Sequence, residues 1–242
     1  MSEGPQLTVY TRGQFSIGVR EPMSDEQIER MLSFCHSRSE VRRGGVVGPQ
    51  GIERHTLMGI GRVVLKHYVR GGLARFILGR RYLKSKQFRS EIEFLMLEKV
   101  RALGVSAPRP IAFIVEGRWW YRTWLIMDEL EGVVALADLA TARDIQACQE
   151  PIEALTTQVQ RMIEHHIFHI DLHPGNVVVD SSGQVYILDF DKAIVSPGSM
   201  NALRDRYVQR WRRSVIKHRL PEFFSEFFCA RLRKRFDVCH SL

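Results

Sequence analysis

The sequence predicts an α+β chain of two lobes. Residues 1–127 form an antiparallel-sheet lobe with one strong helix and an N-terminal extension. Residues 128–132 form a hinge, and residues 133–242 a mainly helical lobe. Three observations lead there. Strand-like runs crowd the first half. One long helical pattern interrupts them at residues 86–103. After the acidic segment Asp128-Glu129-Leu130-Glu131-Gly132 the pattern turns to apolar stripes of helical period.

Residues 7–10 and 15–19 read as short strands. Ser24 with Gln27 three positions on has the form of a capping box. Ile28, Met31, Leu32 and Cys35 then recur at helical spacing. Residues 54–60 and 62–69 are a strand pair, with Gly59 and Gly61 suited to the tight turn between them. In residues 86–103, Ile92, Leu95, Met96, Val100 and Leu103 are expected on one face, and Gly104 stops the helix. Pro108 and Pro110 make an extended connection to strands at 111–115 and 119–127. Pro151 fits the first turn of the next helix, whose stripe is Ile152, Leu155, Val159, Met162 and Ile163. Strands at 177–179 and 185–188 flank a Ser181-Ser182-Gly183 turn. A last long helix is expected over 200–219, ending before Pro221.

Composition narrows the function. A hydrophobic content of 45% with a full set of aromatics excludes a disordered chain. No apolar run approaches the ~18 residues of a membrane span, and the first thirty residues lack the apolar core of a signal peptide. The cysteines Cys35, Cys148, Cys229 and Cys239 are scattered, as in reduced cytosolic proteins. The net charge of +8 is unevenly spread: from Ser199 onward there are eleven Lys or Arg against four acids. Such a block suits an anionic partner.

The chemistry concentrates in His169-Ile-Asp171-Leu-His-Pro-Gly-Asn176 and the later Leu188-Asp189-Phe190-Asp191. Phosphoryl transfer demands positioning and charge neutralisation more than covalent help. Asp171 is placed to orient an acceptor hydroxyl and take its proton. Asn176 can turn its amide oxygen to the same place, and Asp189 ends an apolar strand. These are the hard oxygen ligands that Mg2+ prefers. The competing reading is a structural loop with a turn asparagine and a strand-end aspartate. His165, His166, His169 and His173 surround Asp171 but fit no zinc spacing; His169 reads as an orienting or packing residue of the loop.

These segments resemble the catalytic loop and the metal-binding D-F-G of the protein-kinase-like superfamily, with Asp191 in the glycine position. No A-P-E triplet follows, which disfavours a peptide substrate. The resemblance implies a nucleotide-binding lysine on a strand, met by Lys66 in Val63-Val64-Leu65-Lys66. It also implies a helical glutamate to pair with it. Glu93 matches the family's distance to Gly104, and Glu91 stays an alternative. No G-x-G-x-x-G is present; the resemblance implies Gly44 and Gly45 as the phosphate-covering loop, against the reading of an ordinary glycine turn, and Glu129 in the hinge as a further nucleotide contact.

The ordered set Lys66-His-Tyr68-Val-Arg70-Gly71-Gly72-Leu73, Tyr82, Arg89, Glu93-Phe94 and Gly104-Val-Ser-Ala-Pro108-Arg-Pro110 is similar to the lipopolysaccharide kinase family, over about residues 43–213. It is most similar to members acting on 3-deoxy-D-manno-octulosonic acid (Kdo). The resemblance implies ATP and Mg2+ as cofactors and Kdo-lipid A of the inner core as acceptor. Arg206, Arg210, Arg213 and Lys217 are expected as a basic stripe on one helix face. Leu203, Tyr207, Trp211 and Val215 lie on another. Phe223, Phe224, Phe227 and Phe228 with Arg231, Arg233, Lys234 and Arg235 follow. The expectation is peripheral binding to an anionic membrane at the cytoplasmic face of the bacterial inner membrane, with no stable nucleic-acid partner. The competing expectations are a small atypical kinase or ATPase of tRNA modification, whose tail would bind RNA, and a non-catalytic nucleotide-binding module.

Overall fold

The computed structural model describes residues 6–36, 52–68, 82–83, 87–117, 120–141 and 145–238. Gly44, Gly45 and the Arg70-Gly71-Gly72 segment lie outside them. The chain is α+β and divides into two compact units, residues 1–95 with 109–129, and residues 96–108 with 130–242.

The first unit is built on seven strands: β1 (Thr8–Arg12), β2 (Phe15–Val19), β3 (Ile52–Leu57), β4 (Gly61–His67), β5 (Tyr82–Leu83), β6 (Pro110–Glu116) and β7 (Trp120–Asp128). They run in the order β1-β2-β6-β7-β4-β3, with β5 paired to β7, and every pairing is antiparallel. Helix α1 (Asp25–His36) starts at the expected capping box: Gln27 N donates to Ser24 Oγ at 3.2 Å, and Ser24 N donates to Gln27 Oε1 at 2.9 Å. Its Ile28, Met31 and Leu32 join Ile17, Val63, Leu65 and Ile126 in one buried cluster.

Side chains alternate across a strand, so Lys66 leaves the opposite side of β4 from Leu65. That side meets the first turns of helix α2 (Arg89–Ala102). With both faces covered, β6 and β7 read as near-continuous apolar runs. The face of α2 differs from the sequence expectation. Ser90, Glu93, Phe94, Leu97 and Val100 are buried, whereas Ile92 is 38% exposed. Counting only apolar residues misplaced the face, because a serine and a glutamate with partners belong to it. Ser90 Oγ bonds Thr123 Oγ1, and Phe94 meets Phe113 edge-on with ring centres 5.5 Å apart.

The second unit holds α3 (Leu136–Thr141), α4 (Ile145–Glu164), α5 (Met200–Lys217) and α6 (Phe223–Val238). It also holds the short strands β8 (Val134–Ala135), β9 (Ile167–Phe168), β10 (Val177–Val179), β11 (Val185–Ile187) and β12 (Ile194–Val195). Strands pair as β11-β10-β8 and β12-β9. Residues 96–108 group with this unit rather than with the sheet. Gln158 bridges them: it accepts from Ser106 N at 2.8 Å and donates to Val185 O at 2.8 Å, while Ile187 N donates to Ser106 O at 2.9 Å.

Pro151 does not open its helix. It is the seventh residue of α4, and the helix runs through it because Ile152, Leu155, Val159, Met162 and Ile163 are all fully buried. Asp180 Oδ1 accepts from Ser182 N and Gln184 N, which closes the β10–β11 turn with Gly183 at φ 85°. Ser199 caps α5 by accepting from Ala202 N at 3.2 Å. Leu203, Tyr207, Trp211 and Val215 are buried as expected. Trp211 stacks on Phe228 at 4.5 Å and donates to Phe224 O at 2.9 Å. Phe224 and Phe228 are therefore core residues of α5–α6 packing.

Candidate active site

In the first unit the structure brings Lys66 and Glu93 together. Lys66 Nζ lies 2.9 and 2.8 Å from the two Glu93 carboxylate oxygens, and the two residues are 4% and 1% exposed. Glu91 is engaged elsewhere, where its carboxylate accepts from Phe88 N at 3.3 Å at the start of α2. Tyr68, two residues beyond Lys66 and on the same face, donates its hydroxyl to Glu93 Oε2. Arg89 lies over the Tyr68 ring, 5.6 Å from its centre. Period-2 alternation was the available signal for Tyr68, since i and i+2 of a strand share a face. A buried ion pair with a third hydrogen bond fixes the lysine in one rotamer.

Glu129 is held otherwise. Its carboxylate accepts from Arg54 Nε at 2.7 Å and Arg62 Nε at 2.9 Å, and its amide donates to Arg62 O at 3.1 Å. Its side chain is thus engaged by two arginines of the sheet.

In the second unit, the loop after β9 carries Asp171 and Asn176. The loop is held from below by His169, which is fully buried. His169 Nε2 lies 2.9 Å from Leu188 O. A carbonyl only accepts, so Nε2 carries the hydrogen. Burial lowers the His169 pKa, so the ring is neutral. His169 N donates to Tyr207 Oη at 2.8 Å, and that hydroxyl donates to Ile167 O at 2.9 Å. These bonds tie the loop to α5 on one side and to the Leu188-Asp189 segment on the other.

Asn176 closes a 3-10 turn (Pro174–Asn176), and its Nδ2 donates to Asp171 O at 3.1 Å. That bond uses the amide nitrogen and leaves the amide oxygen for another partner. Asp189 precedes a second 3-10 turn (Phe190–Lys192) at φ 62°, ψ 63°. Left-handed geometry at a non-glycine residue costs on the order of 1–3 kcal/mol and collects at functional positions. Buried Phe190, edge-on to His169 with ring centres 4.7 Å apart, holds the segment there.

Sequence reasoning missed the surroundings of Asp171. Lys192 Nζ lies 2.6 Å from Asp171 Oδ2, and an Arg210 Nη lies 3.2 Å from Oδ1. Burial pushes the Asp171 carboxyl up, but the Lys192 hydrogen bond and the charges of Lys192 and Arg210 outweigh it and hold its pKa below the usual range. Arg210 also donates from Nε to Leu172 O at 3.3 Å. The expected basic stripe of α5 is therefore divided. Arg210 turns toward the loop. Arg206 lies over the Phe168 ring at 4.0 Å and donates to Ser196 Oγ at 2.6 Å. Arg213 and Lys217 remain exposed.

Comparison with known proteins shows the family. A model of the lipopolysaccharide kinase (Kdo/WaaP) family matches residues 38–222. The 3-deoxy-D-manno-octulosonic acid kinase of Stenotrophomonas maltophilia (strain K279a) is 35% identical over 74% of this chain and 72% of its own length. The enzyme of the same name from strain R551-3 is 34% identical over the same shares. The bifunctional kinase-methyltransferase WbdD overlaps 72% of this chain and 41% of its own at 18% identity. Its TM-score of 0.39 is too low to carry an argument. The chain belongs to the lipopolysaccharide kinase (Kdo/WaaP) family and is a phosphotransferase that acts on a hydroxyl group.

Proposed function

We propose that this chain transfers the terminal phosphoryl group of ATP, with Mg2+, to a hydroxyl of Kdo in the lipopolysaccharide inner core, with Kdo-lipid A as acceptor. The observation that carries this is Asp171, fixed on a buttressed loop in a chain whose relatives are named Kdo kinases. Asp171 holds the acceptor hydroxyl and takes its proton as the oxygen bonds to phosphorus. The bond from phosphorus to the leaving diphosphate breaks, and its electron pair departs with ADP.

Lys66, oriented by Glu93 and Tyr68, binds the nucleotide phosphates. Gly44, Gly45 and the Glu129 carbonyl complete the nucleotide contacts. The donors Asn176 Oδ1 and Asp189 fit a hard divalent cation, and two protein ligands suit Mg2+, which keeps waters and phosphate oxygens in its shell. When bound, that ion would neutralise charge on the phosphates.

We further place the protein at the cytoplasmic face of the inner membrane as a peripheral protein. No helix among the described residues is long and apolar enough to cross a bilayer. On α5 and just after it, Arg212, Arg213, Lys217 and Arg219 are exposed beside Ile216, itself 76% exposed. A basic surface gains on the order of 1 kcal/mol per residue near an anionic leaflet. Flotation with anionic and with neutral liposomes tests this, and equal recovery from both would sink it.

The activity is tested by incubating the protein with Mg-ATP and lipid A precursors with and without Kdo. A phosphate mass shift confined to the Kdo-bearing precursors is the expected result. Phosphorylation of the Kdo-free precursor, or of neither, refutes the reading.

A further inference from the structure

The two cations on Asp171 differ in how they are held. Arg210 belongs to the loop: it bonds Leu172 O as well as Asp171, and its side chain is 30% exposed. Lys192 is 57% exposed, and its ammonium meets Asp171 alone among the described residues. An ammonium has three hydrogen-bond donors, so two of them face solvent beside the group that must receive the acceptor. Its backbone is nonetheless fixed, because Phe190 and Ala193 on either side are buried. Asp171, Lys192 and Arg210 together carry one positive charge in excess. A partly exposed ammonium beside Asp171 favours an acceptor with an acid group near its reacting hydroxyl.

We propose that Lys192 is a specificity-determining residue that binds the carboxylate of the acceptor, a proposal that rests on the reading of the chain as a kinase of an acidic sugar. In the free protein the ammonium is held by Asp171. An arriving carboxylate takes it over through the free donors. The acid group is then docked, and the Asp171 oxygen facing Lys192 is released toward the acceptor hydroxyl. Arg210 stays on the other oxygen and keeps the carboxylate in place. A neutral acceptor cannot draw Lys192 away, so it meets an occupied Asp171. A flexible lysine suits a hand-over of this kind better than the rigid fork of an arginine.

The test compares the Kdo-bearing lipid A precursor with its methyl ester, using the full chain and Mg-ATP. A charge-assisted hydrogen bond predicts that the native protein prefers the acid over the ester by on the order of 10- to 100-fold in kcat/KM. Lys192→Met should bring that ratio close to one, chiefly by loss on the acid, and Lys192→Arg should keep part of it. Equilibrium binding of acid and ester to Lys192→Met gives the same ratio if turnover is too slow to follow. Circular dichroism checks that this exposed position leaves the fold intact. A native ratio near one, or a Lys192→Met protein with the native ratio in both measurements, overturns the proposal while leaving the kinase reading standing. Turnover of neither acceptor by the native protein removes both.

Discussion

Removing one partner of the Lys66–Glu93 pair should do more harm than removing both. The pair is nearly inaccessible to water, and Lys66 Nζ is within 2.9 Å of both Glu93 oxygens. Glu93→Ala removes the carboxylate that both the buried Lys66 ammonium and the Tyr68 hydroxyl bond. Breaking a buried pair from one side costs about 3–5 kcal/mol, against a total stability of about 5–15 kcal/mol for a typical domain. The single variant should therefore lose a large part of its resistance to urea. Lys66→Met with Glu93→Leu replaces both charges with apolar groups of similar size. Such exchanges range from neutral to stabilising, although the Tyr68 hydroxyl loses its bond to Glu93, at about 1–3 kcal/mol. The double variant should sit above Glu93→Ala by at least about 1 kcal/mol, yet bind nucleotide no better. Urea titrations of the three proteins, with fluorescent nucleotide binding alongside, make the comparison. A double variant as unstable as Glu93→Ala would refute the view that the stranded charge dominates the cost.

Three further outcomes follow from the structure. Asp171→Ala should abolish phosphate transfer and leave nucleotide binding largely intact, whereas Asp189→Ala should also weaken Mg2+-dependent nucleotide binding; transfer assays and titrations with and without Mg2+ separate the two. Gly18→Ala should destabilise by about 1–3 kcal/mol, because its Cβ would stand 2.2 Å from the Phe113 ring across the β2–β6 pairing; thermal melting reads this. His173 is held down to about 4 by burial and by the nearby His218 and Arg210 charges. In the unfolded chain it titrates near 6.5, so between these values the unfolded state binds more protons and stability falls as pH drops from 6.5 toward 4. His173→Asn, which keeps a side-chain acceptor for Gly175 N, should flatten that part of the melting-temperature profile.

The sequence by itself determined the α+β class, the capping box at Ser24, the β3–β4 hairpin and the apolar stripe of α4, because periodicity and turn chemistry are local. It also singled out Asp171, Asn176, Asp189, Lys66 and Glu93, since a trio of oxygen ligands in fixed order is rare and the family spacing chose among the glutamates. What lay beyond it were partnerships between residues far apart in the chain. The pairing of Glu93 with Lys66 was an expectation of the resemblance, but the Tyr68 hydroxyl that joins them was not. Glu129 reads as a nucleotide contact of the hinge, and its partners Arg54 and Arg62 are not visible along the chain. Arg210 reads as one charge of a stripe until it turns to Asp171, 39 positions away, and Lys192, which the sequence did not single out, does the same over 21. Electrostatic partners are fixed by distance in space, and composition and spacing along the chain carry no record of it. The proposal of Asp171 as the catalytic aspartate thus rests on local information. The two cationic partners of Asp171 were decided by tertiary structure alone.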